Sequence, residues 1–145
     1  MLIGDILDHK GRDIYSVPPD STVYEAIALM SEKNIGALLV LGGGEIAGII
    51  TERDYRNKVI LQGRSSKTTP VRDIMTENVN YVTSKQTVKE CMALMTSKKF
   101  RHCPVVDDGK LVGIVSIGDL VNAVITEQKV EIDYLKNYIT GAYPN

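Results

Sequence analysis

Hydrophobic positions along this chain recur with two different periods, and the change of period marks its elements. Residues 37–41 and 103–106 are continuous apolar runs that predict buried strands. Each is followed by a turn of hairpin type, Gly42-Gly43-Gly44 or Asp107-Asp108-Gly109, and then by a returning strand over 46–50 or 111–115. Ahead of the hairpins, Val23, Ala26, Ile27 and Met30 fall at helical spacing, as do Val88, Cys91, Met92 and Met95. Thr22-x-x-Glu25 and Thr87-x-x-Glu90 place a capping box at the start of each helix. Short strands over 14–17, stopped by Pro18-Pro19, and over 79–82 precede those helices, and further helices over 55–61 and 120–126 follow the hairpins. Thr69-Pro70 predicts a short helical turn with proline at its first position, and residues 3–7 a looser one. Val130, Ile132, Leu135 and Ile139, interleaved with Glu and Lys, predict a terminal helix ended by Gly141 and Pro144.

The elements repeat because the sequence does. Residues 14–60 laid over 79–125 without a gap agree at sixteen positions, among them Thr22/Thr87, Glu25/Glu90, Met30/Met95, Gly48/Gly113 and Asp54/Asp119. Ile3-Gly4-Asp5-Ile6-Leu7 is echoed by Val71-Arg72-Asp73-Ile74-Met75, so each copy has its own lead-in. A tandem duplication of this kind predicts two pseudo-symmetric β-α-β-β-α repeats of the α/β (α+β) class. Repeat 1 with its lead-in covers 1–62, a polar linker 63–69, repeat 2 70–126 and a helical tail 127–145. Repeats of that size have marginal cores alone, so the two are expected to share a core or an interface.

Composition narrows the function classes. With no Trp and one Phe, the core must come from Ile, Val, Leu, Met and Ala. A formal net charge of −1 provides no basic field for nucleic acid, so that partner is not expected. No apolar run is long enough to span a membrane and no secretory leader opens the chain, which points to the cytoplasm. Cys91 and Cys103 suit buried thiols, and no Cys/His spacing suggests a metal.

The candidate chemistry lies in a phrase said twice, Gly48-Ile49-Ile50-Thr51-Glu52-Arg53-Asp54 and Gly113-Ile114-Val115-Ser116-Ile117-Gly118-Asp119. A carboxylate can accept from both vicinal hydroxyls of a ribose, and a hydroxyl beside free N–H groups at a helix start suits a phosphate. The same spacing, hydroxyl at N-cap and acid three residues on, is also a capping box. The two roles are compatible. His102 beside Cys103 is not read as a reactive pair, because neighbours on a strand face opposite ways. Arg64 and Lys67 are read either as reaching phosphates or as part of a solvated linker.

The duplicated phrase, the element order and Arg101-His102-Cys103-Pro104-Val105-Val106-Asp107 together resemble the tandem cystathionine-β-synthase (CBS) domain pair, or Bateman module, over residues 2–126. Thr51-Glu52-Arg53-Asp54-Tyr55 and Gly63-Arg64-Ser65-Ser66 also resemble the small stand-alone bacterial members. The resemblance implies two repeats packed through their sheets, with an adenosine-containing ligand (AMP, ADP, ATP, S-adenosylmethionine or NAD(H)) in two clefts. One cleft would use Asp119, Ser116, Ile114, Arg101 and His102 with Tyr15, Ile35 and Gly36. The other would use Asp54, Thr51, Ile49, Gly36 and Ala37 with Asn80, Phe100 and Arg101. Arg53 stands where the second copy has Gly118, so the second set is expected to favour the more highly charged ligand. The implied function is a non-enzymatic nucleotide sensor without a catalytic cofactor, acting as a homodimer of pairs or through an unidentified regulated protein. The alternatives are a structural dimerisation module with no ligand and, more remotely, a nucleic-acid binder.

Overall fold

A computed structural model of the chain describes residues 1–140, and the helix end expected at Gly141 and Pro144 lies outside them. Those residues form two compact units, Asp13–Asn80 and a second made of Met1–Arg12 together with the chain from Tyr81 onward. The division differs from the repeat boundaries, because each lead-in packs on the copy that it does not precede.

In the unit Asp13–Asn80, strand β1 (Ser16–Val17) pairs in parallel with β2 (Ala37–Gly42), which pairs antiparallel with β3 (Glu45–Thr51). Helix α2 (Val23–Lys33) buries Val23, Ala26 and Met30 against Leu38, Val40 and Ile50. Thr22 Oγ1 accepts from Glu25 N at 3.2 Å, which is the N-cap half of the expected capping box. The β2–β3 turn holds Gly43 and Gly44 at φ of 61° and 81°, left-handed values that a two-residue hairpin loop demands. Helix α3 (Glu52–Tyr55) starts three residues earlier than expected and passes into a π-helical stretch, Arg56–Ile60. The second lead-in is a 3₁₀ turn, Val71–Asp73, with Pro70 at its N-cap and not at the first helical position. Val71 and Ile74 complete this unit's core.

The other unit repeats the plan. Helix α4 (Val88–Lys98), capped by Thr87, buries Val88, Cys91 and Met95 beneath the hairpin β4 (His102–Asp107) and β5 (Lys110–Ser116). Asp108 and Gly109 take the same left-handed turn. The strand expected over 79–82 shrinks to one parallel bridge, Val82 to Val105. Cys91 and Cys103 are both buried and not joined in a disulfide, and the burial of Cys91 is as its helical spacing predicts. A hydrogen bond between the two thiols, together with burial, pushes the Cys103 thiol far above its usual range. Helix α1 (Ile3–Lys10) joins this core through Ile3, Ile6 and Leu7. It is firmer than expected because Ile3, Ile6, Leu7 and Lys10 continue one helical face over two turns. After Met75, by contrast, the chain is drawn out to pair Thr76 with Ile49.

Backbone bonds show how closely the two dockings match. Ile3 N donates to Gln86 O at 2.9 Å, and Val71 N to Ser21 O at 2.8 Å. Gly4 N donates to Ser84 O at 2.8 Å, and Arg72 N to Pro19 O at 3.0 Å. Val88 N reaches Met1 O at 3.0 Å, and Val23 N reaches Thr69 O at 2.9 Å. These are equivalent atoms in the two copies.

The linker and the tail also differ from expectation. Residues 63–69 are anchored, since Tyr24 N donates to Ser66 O at 2.9 Å and Thr69 is buried. Arg64 pairs with Asp73 at 3.3 Å, and Lys67 Nζ lies 5.4 Å from the Tyr24 ring centroid. The helix expected over 120–126 and the tail helix are one continuous helix, α5 (Ile117–Thr140).

Candidate functional site

Both copies end the phrase in the same way. The returning strand delivers its hydroxyl residue to the N-cap of the next helix, and the aspartate turns back to close the box. In the first copy Asp54 N donates to Thr51 Oγ1 at 3.1 Å, and Thr51 N donates to Asp54 Oδ2 at 3.1 Å. In the second, Asp119 N donates to Ser116 Oγ at 3.2 Å, and Ser116 N donates to Asp119 Oδ2 at 2.8 Å. The capping reading therefore holds at both places, worth about 0.5–2 kcal/mol each.

Each carboxylate also holds a lysine. Lys58 Nζ lies 3.0 Å from Asp54 Oδ1 and donates to Ile74 O at 3.0 Å. Lys10 Nζ lies 2.7 Å from Asp119 Oδ2 and donates to Ile114 O at 2.9 Å. The lysines do not come from equivalent positions. Lys58 is one helical turn after its aspartate, a spacing readable from sequence, whereas Lys10 arrives on α1 from 109 residues away. Thr76 Oγ1 adds a bond to Asp54 Oδ1 at 3.3 Å, again with no local signal. Asp54 thus receives donors on both oxygens, including Thr51 Oγ1 at 3.1 Å, while the bonds from Ser116 N and Lys10 both fall on Oδ2 of Asp119.

Opposing influences set the acidity of Asp119. Burial is the largest and pushes its carboxyl up, but the bond and charge of Lys10 with the bonds from Ser116 outweigh it, and the pKa falls below the ordinary carboxylate value. A depressed carboxylate contributes stability above its unfolded-state pKa, and that contribution is lost as pH falls through the folded value. Lys10→Met should leave burial unopposed by the ammonium and move the Asp119 titration upward, which carboxyl-carbon NMR reads directly. An unmoved titration would show that the ion pair does not form in solution.

The other expected residues divide between the units. With Asp54 belong Thr51, Arg53, Ile49, Gly36, Ala37, Tyr15, Ile35 and Asn80. Thr51 lies opposite Ala37, and Glu52 N donates to Gly36 O at 3.1 Å, which brings the strand start beside the cap. Ile49 pairs across to Leu39 on one edge and Thr76 on the other. Tyr15 is half-buried with Lys33 Nζ 5.1 Å from its ring centroid, and Arg53 is exposed. Ile35 is half-buried against the same core, and Asn80 is half-buried where the unit ends.

With Asp119 belong Ser116, Ile114, Arg101, His102 and Phe100. Ser116 lies opposite His102, Ile114 lies opposite Pro104, and Ile117 N donates to Arg101 O at 2.8 Å. Phe100 packs half-buried on the core, Arg101 is exposed, and His102 is half-buried where Cys103 is fully buried, the opposite-facing arrangement expected of strand neighbours. Each set that the resemblance implies therefore draws residues from both units. Among the described residues no cluster of three His, Cys, Asp or Glu side chains could hold a metal ion, and no helix is long and apolar enough to cross a membrane.

The CBS domain model matches the chain twice, over residues 3–60 and 71–126, one match for each copy of the duplicated unit. The chain belongs to the CBS domain family, as a tandem pair of the α+β class. It is 46% identical over 150 residues to the mitochondrial CBS domain-containing protein CBSX3 of Arabidopsis thaliana, an alignment covering 97% of this chain and 73% of that protein. A protein with CBS domains from Burkholderia ambifaria MC40-6 superposes with a TM-score of 0.86 at 56% identity, covering 88% of this chain and 96% of that one. The CBS domain pair of protein MJ0100, in complex with 5′-methylthioadenosine and S-adenosyl-L-methionine, superposes with a TM-score of 0.78 at 26% identity, covering 88% of this chain and 98% of that one.

Proposed function

We propose that this chain is a non-enzymatic regulatory module of the cytoplasm that binds an adenosine nucleotide of the AMP, ADP, ATP or NAD(H) class at its phrase aspartates. The observation that carries the reading is that both aspartates sit in the same capped geometry, each beside a lysine ammonium. A ribose diol can be received by the carboxylate while the ammonium meets a phosphate. The 5′-methylthioadenosine and S-adenosyl-L-methionine held by the MJ0100 pair support the adenosine part of this reading. Signal would leave through a homodimer of such pairs or through a separate regulated protein, by ligand stabilising one arrangement over another.

The two aspartates are not equally ready. Asp54 already has donors on both oxygens, so a ribose there must displace Lys58 or Thr76. The displaced Lys58, with Arg53 one residue before Asp54, then offers two cations, which favours the more highly charged ligand at Asp54. If Arg53→Ala leaves ADP and AMP affinities unchanged, that preference is wrong.

Thermal unfolding against AMP, ADP, ATP, NADH and S-adenosylmethionine tests the whole reading. At a hundred times its dissociation constant a ligand should add about 2.7 kcal/mol to the native state. Asp54→Ala and Asp119→Ala, each compared with its own unliganded melt to remove the cap loss, should abolish the shift at one site each. No shift with any ligand would leave the aspartates as helix caps and favour the scaffold alternative, which the exposed apolar residues of α5 also suit.

A further inference from the structure

Helix α5 leaves its unit's core early. Leu120 is fully buried, and Ile117, Ala123 and Val124 pack beside it. Beyond Val124 every side chain to Thr140 is exposed except the half-buried Asn137. A stretch of that length has marginal helicity in water without packing, yet it carries Ile125, Val130, Ile132, Tyr134, Leu135, Tyr138 and Ile139, all exposed.

Most of these apolar residues are ordered. Val121, Ile125, Gln128, Ile132, Leu135 and Ile139 follow one another at alternating steps of four and three, a seam of about three heptads. Its a positions are Ile125, Ile132 and Ile139, and its d positions are Val121, Gln128 and Leu135. At about 100° per residue the seam runs roughly a quarter-turn round the helix from the Leu120 face, so core packing and the seam do not compete. Val130 and Tyr134 lie off it. β-Branched residues at a with leucine at d favour two parallel strands.

We propose that the C-terminal part of α5 forms a parallel two-stranded coiled coil with the same helix of a second copy of this chain. The charges select that partner and that direction. Glu131 falls at g and Lys136 at e of the next heptad, the pair that a parallel dimer brings together twice by symmetry. An antiparallel pairing would set the e-position lysines, Lys129 and Lys136, against one another. The proposal does not depend on nucleotide binding, and its test is run without nucleotide.

Ile125→Cys and Ile139→Cys are made separately in the full chain and oxidised mildly. Each should form a disulfide-linked dimer with itself at least about tenfold faster than Thr126→Cys, which lies off the seam. Cys91 and Cys103 are buried, so the unsubstituted chain sets a low background. Crosslinking only when the two variants are mixed would overturn the parallel register, and crosslinking in neither case would overturn the coiled coil. Independently, Glu131→Lys should weaken self-association about fivefold by sedimentation equilibrium, and Glu131→Lys with Lys136→Glu should restore it. An unchanged single variant would overturn the charge pairing.

Discussion

Leu7→Ala is expected to destabilise the chain by about 3 kcal/mol, within the range of 2–5 kcal/mol found when a fully buried leucine is truncated. Helix α1 has only 8 residues and would not hold its shape alone. It is helical because Ile3 and Leu7 are wholly buried with Val82, Val105, Val115 and Leu120. Leu7 lies over Gly113, where a Cβ would come within 2.7 Å of its Cδ2, so truncation leaves a hole that Gly113 has no side chain to fill. Urea unfolding should show a midpoint lowered by roughly 1–2 M at constant slope. Leu2→Ala, at an exposed position, should stay within about 0.5 kcal/mol. Native-state hydrogen exchange should report the loss first in β4 and β5. Equal effects of the two substitutions would show that α1 is not part of that core.

Gly48→Ala is the second large effect, about 3 kcal/mol, and its cause is the reverse, overpacking. A Cβ there would stand 2.7 Å from Thr76 O and 2.9 Å from Met75 Sδ. Thr76 O is backbone and cannot swing aside, because it accepts from Ile49 N at 2.9 Å while Thr76 N donates back to Ile49 O at 2.9 Å. Relief must break that bridge. Gly113→Ala, the equivalent change, meets the flexible end of Leu7 and should cost only about 1 kcal/mol. In the double variant with Leu7→Ala the added methyl enters the hole, so the combined loss should fall short of the sum. Full additivity in that cycle would separate the two residues physically. Calorimetric melting of Gly48→Ala should drop by roughly 6–12 °C, and a drop equal to that of Gly113→Ala would argue that Thr76 yields freely.

The contrast between these glycines bears on the candidate site. Gly48 and Gly113 open the two copies of the phrase, and what crowds each of them is a lead-in. Met75 and Thr76 close over Gly48, and Thr76 goes on to bond Asp54. Leu7 closes over Gly113, and Lys10, one turn further along α1, reaches Asp119. The second lead-in with Thr76, and α1, therefore set the packing behind each phrase and bring a hydrogen-bond donor to its carboxylate.

Whatever depends on neighbours within one turn or one hairpin is encoded locally. The duplication, the capped starts of α2 and α4, the Gly-Gly and Asp-Gly turns, and the burial of Met30, Cys91 and Met95 were all legible, because period and turn chemistry act over a few residues. So was the capping geometry of Thr51 with Asp54 and Ser116 with Asp119, and Lys58 stood one turn from Asp54 for the same reason. Long-range packing, by contrast, puts Ile3 and Leu7 on the second copy and Val71 and Ile74 on the first. It also decided that Val79–Val82 keeps a single bridge, that Arg56–Ile60 winds as a π turn while its counterpart stays α-helical, and that α5 runs unbroken to Thr140. Lys10 beside Asp119 belongs with these. No local pattern encodes a contact 109 residues long, since it forms only when the buried face of α1 fixes which way its polar end points.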